Sequence, residues 1–134
     1  MGTSESFKIK SINESKTPIE LSAQVLKELK TFVNTGDNLD AVVITIPASF
    51  DIIQSNATKE AGIQAGFKQV VLLQEPIAAS LAYANMKKEK EMKEGQWLVY
   101  DLGGGTFDVA LIKIKDGEMK VLDHEGDNYL GGAD

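Results

Sequence analysis

Three consecutive glycines stand between two acidic residues in this 134-residue sequence, at residues 101–108, DLGGGTFD. Because glycine lacks a Cβ, the backbone amides of such a bend can converge on an anion such as a phosphate group. Carboxylates alone would repel a phosphate, whereas a divalent cation between them removes the conflict. Mg²⁺ keeps several waters and needs few carboxylate contacts, which suits the pair Asp101 and Asp108. The segment therefore predicts a site for a magnesium-bound phosphate compound.

The bend joins two apolar runs that we interpret as neighbouring strands. Alternation along the second strand places Thr106 and Asp108 on one face, and Asp101 ends the first strand, so two carboxylates flank one mouth. Thr106 is suited to hydrogen-bond a phosphate oxygen, whereas Phe107 is expected to point into a core on the opposite face. The alternative is a glycine-rich hairpin with two solvated aspartates, since a short motif is only a hypothesis.

The composition excludes several classes of protein. Apolar residues make up 43% and charged residues 25% of the sequence, as in ordinary globular proteins. The net charge of −6 argues against nucleic-acid binding, because affinity for a phosphate backbone needs an excess of cations. There is no cysteine, and His124 is the only histidine, which leaves little support for a disulfide framework, a histidine metal cluster or a catalytic triad.

The sequence gives no indication of a membrane or secreted protein. The first ten residues lack the apolar core of a signal peptide. The longest apolar run, residues 41–46, is far shorter than the ~20 residues of a spanning helix. We therefore predict no membrane partner and a cytoplasmic location.

The elements that must position the glycine bend alternate at first between helix and strand. Capping boxes predict helix starts at Thr17 with Glu20 and at Asp51 with Gln54. The uncharged, β-branched run at 41–46 predicts a strand covered on both faces, as in a layered α/β protein. The predicted helices run from Pro18 to a stop at Gly36, from Asp51 to Ala65, and from Glu75 through Ala84. Strands are predicted at 7–10, 41–46, 70–73, 97–100, 106–115 and 119–122, the last three as an antiparallel meander.

Five collinear segments resemble the seventy-kilodalton heat-shock protein family, a member of the actin, sugar-kinase and heat-shock ATPase superfamily. Besides residues 101–108 they are 41–50 (AVVITIPASF), 57–61 (ATKEA), 75–83 (EPIAASLAY) and 126–134 (GDNYLGGAD). The resemblance, which covers roughly residues 17–134, implies an α/β chain with a partial actin-like, ribonuclease H-like ATPase fold. Residues 1–86 would end the first lobe, with 1–16 a tag or irregular, 87–95 would form a charged loop, and 96–134 would begin the second lobe.

The resemblance also implies roles for individual residues. Asp101 would hold magnesium through water, and Asp108 would help to position it through water or accept a proton from water. Glu75 would lie beside the metal and the attacking water; these three are the predicted catalytic residues. Pro47 would relay the nucleotide state to the substrate domain. The predicted nucleotide contacts are Gly103, Gly104, Gly105, Thr106, Gly131 and Gly132.

The parent implied by this resemblance is a chaperone of the stress response that binds ATP or ADP with Mg²⁺ and hydrolyses ATP. Its partners would be unfolded polypeptides, a J-domain co-chaperone and a nucleotide exchange factor. The family's first phosphate loop, its catalytic lysine and its peptide-binding domain have no counterpart in this sequence, so we expect the fragment to be nearly inactive. Its bare strand edges are expected to favour self-association.

One position departs from the family pattern. Ser55 stands where the family has an arginine that pairs with the relay proline, and serine cannot replace the several donors of a guanidinium. One alternative that this leaves open is a non-hydrolysing, chaperone-like regulator. The other is an actin-superfamily kinase, a class that shares the style of the glycine loop but not the segment 75–83.

Overall fold

The computed structural model describes residues 2–9, 14–33, 36, 38–86, 93–127 and 129–133. The chain divides into two compact units, one formed by Met1–Ile44 and Phe50–Leu72 and the other by Thr45–Ser49 and Leu73–Asp134. Helices and strands occur in both, which confirms the mixed α/β class; the actin-like architecture and the lobe boundaries stay predictions. Residues 87–92 of the predicted charged loop lie outside the described residues.

The described part of residues 2–74 contains two helices and four strands. Their bounds are β1 (Phe7–Ile9), β2 (Glu14–Lys16), α1 (Pro18–Thr31), β3 (Ala41–Ile46), α2 (Ile52–Gln64) and β4 (Gln69–Gln74). β1 and β2 form an antiparallel pair, and β3 is the hydrogen-bonded neighbour of β4 in a second two-stranded sheet. No described helix in the chain is long and apolar enough to cross a membrane.

Both predicted capping boxes are confirmed. The side chains of Thr17 and Asp51 each accept a hydrogen bond from the backbone amide of the third helical residue. The side chains of Glu20 and Gln54, at that third position, accept one from the backbone amide of the capping residue. These paired contacts satisfy amides that a helix start would otherwise leave without partners. Gly66 adopts a left-handed φ of 89° just beyond α2, as expected for a helix stop.

Two predictions for this half of the chain are wrong. α1 ends at Thr31 rather than near Gly36, because Phe32 and Val33 are both exposed and no packing extends the helical pattern. β3 is not covered on both faces: exposure alternates along it, and the side chain of Val43 is 60% exposed. An uncharged run therefore did not distinguish a sheet covered on both faces from one covered on a single face.

The second unit contains one helix and an antiparallel meander. Its elements are α3 (Glu75–Met86), β5 (Gly95–Leu102), β6 (Phe107–Lys115) and β7 (Glu118–Asp127), with sheet order β5-β6-β7. Asp116 and Gly117 join the last two strands with φ values of 53° and 77°, the left-handed conformations of a two-residue hairpin turn. The predicted meander is therefore confirmed; its first and last strands are longer than expected, and its middle strand begins one residue later.

α3 packs against one face of this meander and forms its core. Ile112 and Ile114 of β6 are buried against Ile77 and Ala84 of the helix, and Trp97 packs at the margin of this cluster. The expectation that Phe107 points into the core is wrong. Residues 112 and 114 share the strand face of Asp108, so Phe107 lies on the other face, where its ring contacts the exposed Tyr100 with centroids 4.9 Å apart.

Candidate functional site

The two aspartates of the glycine motif face each other across a strand pair. The register of β5 and β6 places Asp101 directly opposite Asp108, and directly opposed side chains project from the same face of a sheet. This is the face on which α3 packs, so the acidic pair continues the row of core residues Ile114 and Ile112 toward the end of the sheet. Core packing of one helix thus fixes the direction in which both carboxylates point.

Glu75 joins this pair from the first turn of α3. Glu75, Asp101 and Asp108 line one small cavity of about 20 Å³, closed on its apolar side by residues that include Val99 and Ala110. That volume is enough for about one ordered water molecule. The structure therefore brings together the three residues that the sequence predicts to be catalytic, from a helix start and two strands.

The electrostatics of the cavity favour a cation. Burial raises the pKa of the Glu75 carboxyl above its usual range, and the negative charges of Asp108 and then Asp101 raise it further. The ion pairs recorded within the described residues are Lys16–Glu14, Lys68–Asp40 and Lys115–Asp116, none of which involves this cluster. The repulsion among the three carboxylates is thus not offset by a described lysine.

The donor set fits a hydrated magnesium ion better than a directly bound metal. Among the described residues no three acidic or histidine side chains converge closely enough to hold a metal ion directly. Mg²⁺ commonly retains several waters and reaches protein carboxylates through them. Carboxylates around a water-sized cavity are suited to such contacts; the water-mediated role of Asp101 and Asp108 stays a prediction.

The glycine bend is held in shape by few contacts. The Gly103 amide donates a hydrogen bond of 2.8 Å to the Thr106 carbonyl and closes the turn. Gly104 and Gly105 do not have left-handed φ values, and a Cβ at either would have no neighbour within 4 Å. The described fold therefore does not itself require glycine at these two positions.

The amides of the bend divide into two groups. The Gly103 amide is engaged within the turn, whereas no described residue accepts a hydrogen bond from the amides of Gly104, Gly105 or Thr106. All four of these residues are exposed. Among the amides of the bend, those of residues 104–106 are therefore the ones available for the predicted contacts with phosphate.

The second glycine segment lies directly against this bend. The amides of Gly132 and Ala133 donate to the carbonyls of Gly103 and Gly104 at 3.0 and 2.9 Å. A Cβ at Gly131 would overlap the backbone of Gly105, so glycine is needed there for the close approach. The structure thus places Gly131 and Gly132 against the predicted phosphate loop, on the side where the carbonyls of Gly103 and Gly104 accept hydrogen bonds.

Some lining residues were missed by the sequence reasoning. His124 and Ala48 line the acidic cavity. The sequence pattern relates His124 only to a metal cluster or a catalytic triad, not to this cavity. Its position follows from the register of β7, where it lies opposite Ala110 beyond an irregularity at Leu111/Ile112, and no pattern in the sequence predicts that shift. Pro47 directly follows β3, and Ser55 is half-buried in α2; neither lines the cavity.

Comparison with known proteins identifies the family. The sequence matches the family described as Hsp70 protein over residues 2–134. The chain belongs to the Hsp70 family. This confirms the resemblance first seen in five short segments and extends it over almost the whole sequence.

The Hsp70 relatives include bacterial chaperones. The chaperone protein DnaK of Thermosipho africanus is 48% identical over 136 residues, which cover 100% of this chain and 22% of that protein. The DnaK proteins of Ureaplasma urealyticum and Mycoplasmoides gallisepticum are 46% and 47% identical, again over 100% of this chain and over 22% and 23% of their own lengths. The chain thus spans between a fifth and a quarter of the length of these curated relatives.

Proposed function

We propose that this chain is part of the ATP-binding domain of a heat-shock chaperone whose full-length form, the parent, hydrolyses ATP with Mg²⁺. In this proposal hydrolysis drives the binding and release of unfolded polypeptides. The observation that carries the proposal is that Glu75, Asp101 and Asp108 line one cavity beside a glycine bend with three amides that donate to no described residue. The carboxylates would repel a phosphate bound at the glycine bend unless a cation lay between them.

The carboxylates hold and orient water around the metal. Asp101 and Asp108, opposite each other in the register, accept hydrogen bonds from water bound to Mg²⁺. The bound ion supplies charge neutralisation for the phosphate oxygens and for these acids. Most of the catalysis in such a site comes from positioning and electrostatics, because phosphoryl transfer needs little covalent chemistry from the protein.

Glu75 orients the attacking water from the start of α3. Its burial, the largest cause of its raised pKa, makes its carboxylate a stronger proton acceptor than that of an exposed glutamate. Asp108 shares this role from the facing strand. The proton of the attacking water then has two oxygen acceptors at the mouth of the cavity.

The glycine bend holds the phosphates. The amides of Gly104, Gly105 and Thr106 donate to phosphate oxygens, and the Thr106 hydroxyl adds a further donor to the terminal phosphate. The amides of Gly132 and Ala133 hold the bend from its carbonyl side, and Gly131 packs against the backbone of Gly105. Since neither Gly104 nor Gly105 has a neighbour where a Cβ would stand, the open space there is available to the ligand.

The remaining roles concern the parent as a whole. Pro47 relays the nucleotide state to the polypeptide-binding part, and Ser55, in place of an arginine, alters that relay. A J-domain co-chaperone and a nucleotide exchange factor act on the parent in the cytoplasm. The isolated chain carries only part of the nucleotide cleft and is nearly inactive.

ATP turnover by the parent carrying Asp108→Asn tests the site. We expect the rate to fall at least about tenfold, which is about 1.4 kcal/mol of barrier. Asp123→Asn is the matched control, because Asp123 lies opposite Leu111 on the other face of the same sheet, and its rate should stay near that of the wild type. Unchanged turnover of Asp108→Asn would contradict the assigned role. A wild-type parent that binds ATP without hydrolysing it would support the regulator instead.

A further inference from the structure

An irregularity in the pairing of β6 with β7 decides which side chains of β7 face α3. The two strands pair regularly as far as Ile112 and Val121, and the register then shifts by one residue. Asp123 lies opposite Leu111, which leaves Leu122 as an extra residue between two paired positions. A β-bulge of this kind re-aims the side chains that follow it. Beyond the bulge, each residue of β7 therefore lies on the face opposite to the one that a regular ladder would give it.

The bulge turns His124 toward the acidic cavity. His124 lies opposite Ala110, on the face that α3 covers, and lines the cavity that contains the three carboxylates. In a regular ladder Asp123 would lie opposite Ala110, and His124 would project from the other face, because a shift of one residue exchanges the two faces of a strand. The bulge thus places an imidazole where a fourth carboxylate would otherwise stand.

His124 is a near neighbour of Asp108 on this face. Asp108 lies opposite Gly126, two residues beyond His124, and diagonal neighbours of this kind are about 7–8 Å apart along the sheet. The carboxylate of Asp108 lies over the glycine, since a Cβ at Gly126 would stand 2.8 Å from Asp108 Oδ1. The acid therefore extends toward the strand that carries the histidine.

The imidazole supplies a kind of group that the acids of the cavity lack. Ionised carboxylates only accept hydrogen bonds, whereas an imidazole carries at least one N–H donor in either protonation state. Of the described residues that line the cavity, His124 alone has a side chain with an N–H group. A water molecule that donates its protons to two carboxylates keeps two lone pairs. A hydrogen bond from the ring occupies one of them and leaves the other pointing in a fixed direction.

We propose that His124 is a further catalytic residue of the site: its ring N–H donates a hydrogen bond to the attacking water, which Glu75 and Asp108 hold by its protons. This inference rests on the proposed function. The water oxygen forms a bond to the terminal phosphorus of ATP while the bond to the ADP oxygen breaks, and one water proton passes to a carboxylate. His124 gains and loses no proton. It aligns the attacking lone pair, and alignment of reacting atoms lowers the barrier.

Two variants of the parent separate the donor from the space that the ring fills. His124→Leu keeps bulk without a donor and should lower kcat at least about tenfold, whereas His124→Gln keeps an N–H and should stay within about threefold of wild type. The dissociation constant of ATP with magnesium, measured by calorimetry, should change less than about twofold in both. Glu125→Gln is the matched control, because Glu125 lies opposite Val109 on the other face, and it should keep the wild-type rate.

The same assay distinguishes failure of this inference from failure of the proposed function. A wild-type rate in His124→Leu beside a slow Asp108→Asn would overturn the role of the histidine and leave the proposed function standing. Wild-type rates in both variants would contradict the proposed function as well. Equal losses in His124→Leu and His124→Gln, or a loss of ATP affinity as large as the loss of rate, would show that the ring does not act by orienting water.

The placement of the ring is tested without turnover in the isolated chain, where His124 is the only histidine. Nitrogen-15 NMR about two pH units above the ordinary histidine pKa of ~6.5 observes a neutral ring, in which hydrogen bonds decide which nitrogen bears the proton. Asp108→Asn should change the ratio of the two tautomers, whereas Glu125→Gln should leave it unchanged. An equal response to both substitutions, or to neither, would contradict the placement of His124 beside Asp108.

Discussion

At the scale of single residues, two glycines in contact have different reasons to be glycine. Gly131 lies so close to the backbone of Gly105 that a Cβ would overlap it, whereas a Cβ at Gly105 would itself meet open space. The first glycine is therefore needed by the described fold. For the second, the fold gives no such reason, and the proposed function offers one: a ligand that approaches the bend.

Alanine substitutions separate these two reasons. In the parent, Gly105→Ala should leave the free energy of unfolding within about 0.5 kcal/mol of wild type but weaken ATP binding at least about tenfold, because the methyl group fills the space proposed for phosphate. Gly131→Ala should destabilise the fold by about 1–3 kcal/mol, the usual range for overpacking. Urea unfolding and calorimetric titration measure the two quantities. Normal ATP affinity in Gly105→Ala would argue against phosphate binding at the bend.

The raised pKa of Glu75 predicts that the stability of the fold depends on pH. Burial and the charges of Asp108 and Asp101 raise its pKa above the usual 4.5, so between 4.5 and the raised value the folded chain binds more protons than the unfolded chain. The contribution of Glu75 to the free energy of unfolding therefore decreases as the pH rises through this window. Above it, the folded chain bears the full cost of the ionised carboxyl.

Glu75→Gln should remove this contribution. We expect the variant to have a higher free energy of unfolding than the wild-type chain at neutral pH and to lose the difference below the usual glutamate pKa. Urea unfolding at a series of pH values measures both. Glu118→Gln, at an exposed strand end, is the control and should leave the pH dependence unchanged. A constant difference between Glu75→Gln and wild type at every pH would contradict this explanation.

At the scale of elements, α2 depends on close contact with the strands of its own unit. Gly62 in the middle of the helix is buried, and a Cβ there would stand 2.9 and 3.0 Å from the two methyl groups of Val70 and 3.3 Å from Ile44 Cδ1. The β-branched valine has little freedom to move aside. Close packing thus explains a glycine that weakens the helix by about 1 kcal/mol relative to alanine.

Gly62→Ala tests which of these two effects is larger. We expect net destabilisation of about 1 kcal/mol, because an overpacking cost of roughly 1–3 kcal/mol exceeds the gain in helix propensity. Urea unfolding followed by circular dichroism measures the change. Lys59→Ala, at an exposed position of the same helix, should have little effect. A more stable Gly62→Ala variant would show that the helix is free to shift away from the strands.

At the scale of the whole molecule, the described site is open on the ligand side. Residues 103–106 are exposed, and the acidic cavity, at about 20 Å³, has room for about one water molecule. Water at an open site weakens each electrostatic contact with a nucleotide. Within the described residues, the groups that we propose to bind phosphate therefore lack the enclosure that makes binding strong.

The isolated chain should consequently bind ATP weakly. Calorimetric titration with ATP and magnesium is expected to give little or no heat of binding at concentrations where the parent is saturated. Asp108→Asn in the isolated chain should make no measurable difference, since there is little affinity to lose. A micromolar dissociation constant for the wild-type chain would contradict this prediction.

The sequence by itself determined the local structure and the family. Capping residues at Thr17 and Asp51 fixed helix starts, and the turn at Asp116 and Gly117 fixed a hairpin, because these signals act over a few neighbouring residues. The motif at 101–108 predicted an acidic pair beside a glycine bend for the same reason. The sequence did not predict the helix end at Thr31, because the helical spacing of apolar residues continues beyond the point where their side chains pack.

Only the tertiary structure decided which faces are buried and which residues meet. The register of three strands and the docking of α3 turned Asp101 and Asp108 toward the core side, placed Phe107 on the open side, and brought Glu75 and His124 to the same cavity. A strand's alternation defines two faces but not which of them a helix will cover. That choice depends on contacts between residues far apart in the chain, for which a single sequence has no local signal.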